Sequence, residues 1–155
     1  MNKYEKLLEQ AKKDKISIDE NYEFSSELSG LYVDGNIALS NKLTTTADKA
    51  CVLAEELGHH YTSFGDILDL TKSENKKQER QARLWAYNQQ IGLRNLVKAY
   101  EHGCKTRYEI AEYLEVPESF LEEAITSYCA KYGTCTVWEN YYIIFIPYLA
   151  IGKTL

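Results

Sequence analysis

Glu55, Glu56 and His59 have the side-chain types and spacing of a metal-assisted hydrolytic site. On a helix, residues four apart lie about 40° apart around the axis and about 6 Å apart along it. Glu55 and His59 therefore share a face and can converge on one ion. Glu56 lies about 100° round from Glu55, so it reaches the open side of such an ion without pointing at the ion itself. One helix thus offers two donors and one general base, the division of labour that metal-assisted hydrolysis requires.

A third donor has to come from elsewhere in the chain. The best candidate is Glu79, in the run Glu79-Arg80-Gln81-Ala82-Arg83-Leu84-Trp85-Ala86. Ala82 and Ala86 share a face with Glu79, and small side chains there let a second helix approach closely. Glu74 competes for the same role, but it sits in a polar stretch with no alanine face beside it. Glu56 and His60 form a second pair at the same spacing, but the first frame leaves Glu56 free as the base and puts Gly58 before His59. On spacing alone, a Glu and a His four apart equally make a solvated pair on a helix surface. The expected site is Glu55, His59 and Glu79 with a water in the fourth position. Its two carboxylates and neutral imidazole cancel a divalent charge. Zinc is the first expectation, and the oxygen-rich donor set makes Mn²⁺ or Fe²⁺ a competitor.

Those side chains need helices beneath them. Ala50, Leu53, Ala54, Leu57 and Tyr61 form an apolar stripe, with Thr44, Thr45 and Thr46 available as N-caps and Asp48 in the first turn. A second helix is expected from about residue 75 or 76 through Ala86, broken at Gly92, with a further helix ending before Gly103. Residues 63–77 read as a loop. Upstream, residues 2–13 form an amphipathic helix, and Ile16 and Ile18 alternate as in a short strand. Leu31-Tyr32-Val33 and Asn36-Ile37-Ala38-Leu39 flank Asp34-Gly35, the signature of a type I′ hairpin. Downstream, residues 106–128 resemble a helix-turn-helix. Thr106 and Glu109 suit a capping box there, and Pro117 suits a first helical turn. A terminal hairpin spans residues 134–146. His102 falls at a helix C-terminus, where it would interact with the dipole.

The chain has 155 residues, 45% apolar and 26% charged, as in an ordinary globular protein. No apolar run approaches the roughly 20 residues that span a bilayer, and residues 1–6 are polar, unlike a signal peptide. The four cysteines, Cys51, Cys104, Cys129 and Cys135, show no C-x-x-C pairing and are expected as reduced thiols in a cytoplasm. Net charge is −5, which argues against nucleic acid as a partner. The helix-turn-helix-like stretch makes that sharper. Glu101, Glu109, Glu112, Glu115, Glu118, Glu122 and Glu123 outnumber Lys105, Arg107 and Lys131, so it carries −4 (3 − 7). A recognition helix of that composition would press carboxylates against phosphates. It suits packing as a structural pair or docking of a basic protein domain.

Taken together, Asn36-Ile37-Ala38-Leu39, Leu53-Ala54-Glu55-Glu56-Leu57-Gly58-His59-His60 and Glu79 to Ala86 resemble the ImmA/IrrE metallopeptidase family. Its usual motif reads H-E-L-G-H-H, a form of the H-E-x-x-H zinc-peptidase signature, followed by E-x-x-A on the next helix. Glu55 stands where the first histidine would be. The resemblance implies a mainly helical α+β, zincin-like peptidase core over residues 1–100. A helix-turn-helix-like region with the terminal β-hairpin, residues 101–155, would pack with that core as one unit. It also implies His59 and Glu79 as ligands, Glu56 as general base, and a cytoplasmic anti-repressor of phage or mobile-element type that cleaves a transcriptional repressor. Because of Glu55, a catalytically silent anti-repressor that binds without cutting is the alternative.

Overall fold

The computed structural model describes residues 1–62 and 72–154, with side chains from residue 75 in the second stretch. The architecture is α+β, and the chain divides into two compact units, Met1–Ala86 and Tyr87–Leu155. No helix among the described residues is long and apolar enough to cross a membrane.

The first unit opens with α1 (Lys3–Lys13), capped by the Asn2 side chain, which accepts from the Glu5 amide at 2.8 Å. Tyr4, Leu7 and Ala11 form its buried stripe. Next come β1 (Ser17–Tyr22), β2 (Gly30–Val33) and β3 (Asn36–Ser40), in sheet order β1-β3-β2. β2 and β3 are antiparallel, with Val33 opposite Asn36. Asp34 and Gly35 make the two-residue turn with φ of 44° and 79°, the positive values that a type I′ turn requires. The expected hairpin is thus part of a three-stranded sheet, because β1 adds to β3 in parallel.

α2 (Thr46–Thr62) starts where the Thr45 hydroxyl accepts from the Asp48 amide at 3.0 Å. Ala50, Leu53, Ala54 and Leu57 are buried on its inner face, which packs against α1, β2 and β3. Burying each such leucine contributes on the order of 2 kcal/mol. α3 (Lys72–Gln90) begins earlier than expected. The loop reading covered residues 63–77; of these, 63–71 lie outside the described residues and 72–77 are helical. Lys76 and Lys77 carry no apolar periodicity, so the pattern reading had nothing to detect there, although lysine is a good helix former. Ala82 and Ala86 are fully buried, as the alanine face requires. Gly58 of α2 lies directly on the backbone of α3: a Cβ there would run into the carbonyl of Ala82.

In the second unit, α3 ends at Gln90. α4 (Gly92–His102) starts at Gly92 with φ of 72° and ends at Gly103 with φ of 103°. The Tyr128 hydroxyl spans the break, donating to Asn88 Oδ1 at 3.0 Å and accepting from the Gly92 amide at 3.1 Å. α5 (Arg107–Leu114) is capped by Thr106, whose hydroxyl accepts from the Glu109 amide at 3.1 Å. The Glu109 carboxylate reaches back to the Lys105 amide at 3.2 Å, one residue before the one that a capping box would use. α6 (Glu118–Tyr132) has Pro117 as its N-cap residue, at ψ 147°, one position earlier than expected. The chain ends in an antiparallel sheet of β4 (Cys135–Trp138), β5 (Tyr141–Ile144) and β6 (Ala150–Lys153). The expected terminal hairpin therefore gains a third strand. β6 was not legible because its centre is Gly152, a poor strand former. The glycine is needed there because the Tyr142 ring lies across it and leaves no room for a Cβ.

Two substitutions test this packing. Gly58→Ala should destabilise the chain by about 1–3 kcal/mol, although helix propensity alone would have alanine stabilise it by about 1 kcal/mol. Urea unfolding gives the sign, and a more stable variant would show that the helices are not in contact there. Tyr128→Phe should cost about 1–3 kcal/mol through the bonds lost to Asn88 and Gly92, read by the same method. An unchanged midpoint would show that the hydroxyl does not stitch the break.

Candidate metal centre

The α2–α3 approach sets the geometry of the site. With Gly58 resting on Ala82, the next residue of α2 faces the preceding turn of α3. His59 Nε2 lies 3.1 Å from Glu79 Oε2. Two donors bound tetrahedrally to one ion at about 2.1 Å each would stand about 3.4 Å apart. The pair as it stands is therefore within a few tenths of an ångström of the spacing that a shared ion needs. Glu79 is also held from its own helix, where Arg83 Nε donates to its other oxygen at 3.2 Å.

Glu56 is half-buried, one residue round from the Glu55/His59 face. Burial, then the neighbouring carboxylates of Glu55 and Glu79, push its pKa up to about 7. Three carboxylates thus lie within electrostatic reach of one another on two helices, an excess of negative charge that a divalent cation would offset. Glu55 does not complete a three-donor group: among the described residues, no three His, Cys, Asp or Glu side chains are arranged to hold an ion. His59 and Glu79 fit a metal as a pair, and Glu55 is the donor that this conformation does not bring in. Glu74, the alternative third ligand, lies outside the described side chains.

Two residues of β2 also belong to the site, and neither was singled out as functional from the sequence. Gly30 faces α2 so closely that a Cβ there would stand 3.0 Å from Glu56 Cγ and 3.2 Å from Glu56 Oε1. Tyr32, on the same face of the strand, places its hydroxyl 2.8 Å from His60 Nδ1. The ring of His60 is set edge-on between Tyr32 and Tyr61, with centroids 5.5 and 5.0 Å away. His60 is thereby tied to β2 and the aromatic cluster rather than paired with Glu56 in a second metal frame. The only sequence signal for these contacts was Gly30 at the head of the hairpin. His102 closes α4, where its ring stacks on Tyr113 at 4.6 Å.

Residues 5–126 match the peptidase M78 family, described as the IrrE N-terminal-like domain. The match covers most of the chain, which therefore belongs to this family, as its ImmA/IrrE-like motifs implied. M78 is a metallopeptidase family, so a divalent metal accompanies the assignment. No curated protein matches the chain. No solved structure does either.

Proposed function

We propose that this chain is a metal-dependent, zincin-like endopeptidase that cleaves a transcriptional repressor in the cytoplasm, as an anti-repressor of phage or mobile-element type. The observation that carries the reading is the pairing of His59 with Glu79 across two helices, with Glu56 beside it. His59 and Glu79 would hold the ion, Zn²⁺ in the first instance, with Glu55 on the same helix face as the third protein donor. When bound, the ion supplies Lewis acidity toward a carbonyl and a water. Glu56 takes the proton from the attacking water and returns it to the leaving amide nitrogen. Gly30 lies against its side chain and leaves it the room that a larger residue there would take. The acidic stretch over α5 and α6, −4 across residues 101–132, suits docking of the basic DNA-binding part of a repressor rather than DNA itself.

A second reading has an observation of its own. Glu55 occupies the first ligand's place, and the described side chains form no three-donor group. In that reading the chain binds its repressor without cutting it, and a stable one-to-one complex with intact repressor is the result.

Elemental analysis separates the two. About one equivalent of metal per chain is expected after zinc loading, with loss in both His59→Ala and Glu79→Ala. Failure of the wild type to retain any ion would leave the silent reading. With the repressor in hand, Glu56→Gln should slow cleavage by about 10²–10⁴-fold while metal content and folding stay as they were. Cleavage at the wild-type rate by that variant would remove Glu56 from the mechanism.

A further inference from the structure

Within the second unit, a cleft of about 580 Å³ runs between α6 and the end of β5. That volume falls in the range of small-ligand sites, about 300–1,000 Å³. Ile125, Ala130, Phe145 and Pro147 give it apolar walls, Cys129 lies along it, and Arg107 stands at its polar end. The residues from Cys129 to Pro147 lie beyond position 126, where the family match stops. The cleft is thus built largely from a part of the chain that the family assignment does not cover.

The charge at its polar end is partly exposed and only loosely paired. Arg107 Nη1 is 3.7 Å from Glu122 Oε1, well beyond the 2.7–2.9 Å or so of a charge-assisted hydrogen bond. Arg107 has no closer partner among the described residues. A guanidinium carries five N–H donors, so this one, which lines the cleft, keeps donors that a bound anion could use. The nearby carboxylate also decides which anion fits. Arg107 and Glu122 together are neutral, so one negative charge is welcome and two would meet repulsion from Glu122. Thr126 adds no donor, because its hydroxyl is spent on the Glu122 carbonyl at 3.1 Å.

We propose that this cleft binds a small monocarboxylate with an apolar body, its carboxylate on Arg107 and its body against Ile125, Phe145 and Pro147. The site is separate from the one that carries the peptidase reading and does not rest on it.

The probes are octanoate, 1-octanol and octylammonium, which share a tail and differ in the head. Cys129 reports occupancy through its rate of alkylation by iodoacetamide, read peptide by peptide in a mass spectrometer. Cys135, exposed and outside the cleft lining, is the internal control. Octanoate should protect Cys129 and leave Cys135 alone, and the alcohol and the amine should need about tenfold higher concentrations, the value of one charge-assisted bond. Arg107→Gln, with an unchanged circular dichroism spectrum, should erase the preference for octanoate over octanol, and Arg107→Lys should keep part of it. No protection, equal protection by all three probes, or a preference that survives Arg107→Gln would each overturn the proposal. So would an acetylated Ala-Leu dipeptide with a free carboxylate that protects Cys129 about tenfold more tightly than octanoate, because the cleft would then be a receptor for a protein C-terminus.

Discussion

Two helices can present donors to one ion only if their backbones nearly touch, because a glutamate and a histidine together span just a few ångströms beyond Cβ. In this chain that condition is met at one point, where Gly58 of α2 rests on the carbonyl of Ala82 in α3. The rest of the site follows from that contact. His59, the neighbour of Gly58, is turned toward α3, and Glu79, three residues before Ala82, is turned toward α2, so that their side chains meet at 3.1 Å. Ala82, at this contact, and Ala86, one turn on, are fully buried. A glycine inside a helix costs about 1 kcal/mol against alanine, and here it allows the approach at which His59 and Glu79 meet.

The opposite flank of α2 is fitted in a similar way. Gly30 lies against Glu56, and Tyr32 reaches His60. Two residues of a strand advance about 6.8 Å and four residues of a helix about 6 Å, so strand and helix keep step over this distance. Glu56 is consequently enclosed by β2 while facing the carboxylates of Glu55 and Glu79. Enclosure and like charge act in one direction, and together they hold its carboxyl near pKa 7.

Much of this was written in the sequence in terms of period and turn chemistry. The apolar stripe of α2, the Asp34-Gly35 turn, the Gly92 break and the helix ending at Gly103 all follow from local rules that one segment satisfies by itself. The role of Ala82 and Ala86 as a close-packing face was legible as well. What local rules could not supply was pairing between distant segments. β1 joins β3 through a parallel register that no turn signal announces, and β6 is hidden by the glycine that the Tyr142 ring demands. The contacts of Gly30 and Tyr32 with α2 are of the same kind, since they depend on how β2 is laid along a helix remote in sequence. For the site, the motif named residues, but only the structure shows that His59 and Glu79 meet.

Glu55 would change the electrostatics of the proposed centre as well as its geometry. A histidine-histidine-glutamate set around a divalent ion keeps one positive charge, whereas Glu55, His59 and Glu79 would leave none. A neutral centre would be a weaker Lewis acid, and more of the work of deprotonation would fall to Glu56. The same neutrality acts on Glu56 itself. With Glu55 and Glu79 offset by a cation, their share of the upward push on its pKa would fall away and leave burial as the main cause. The carboxylate would then be more fully ionised at neutral pH and, with its lower pKa, intrinsically less basic. Such a centre would set a weaker Lewis acid beside a more fully ionised but less basic Glu56, and its oxygen-rich donor set would suit ions that favour such donors.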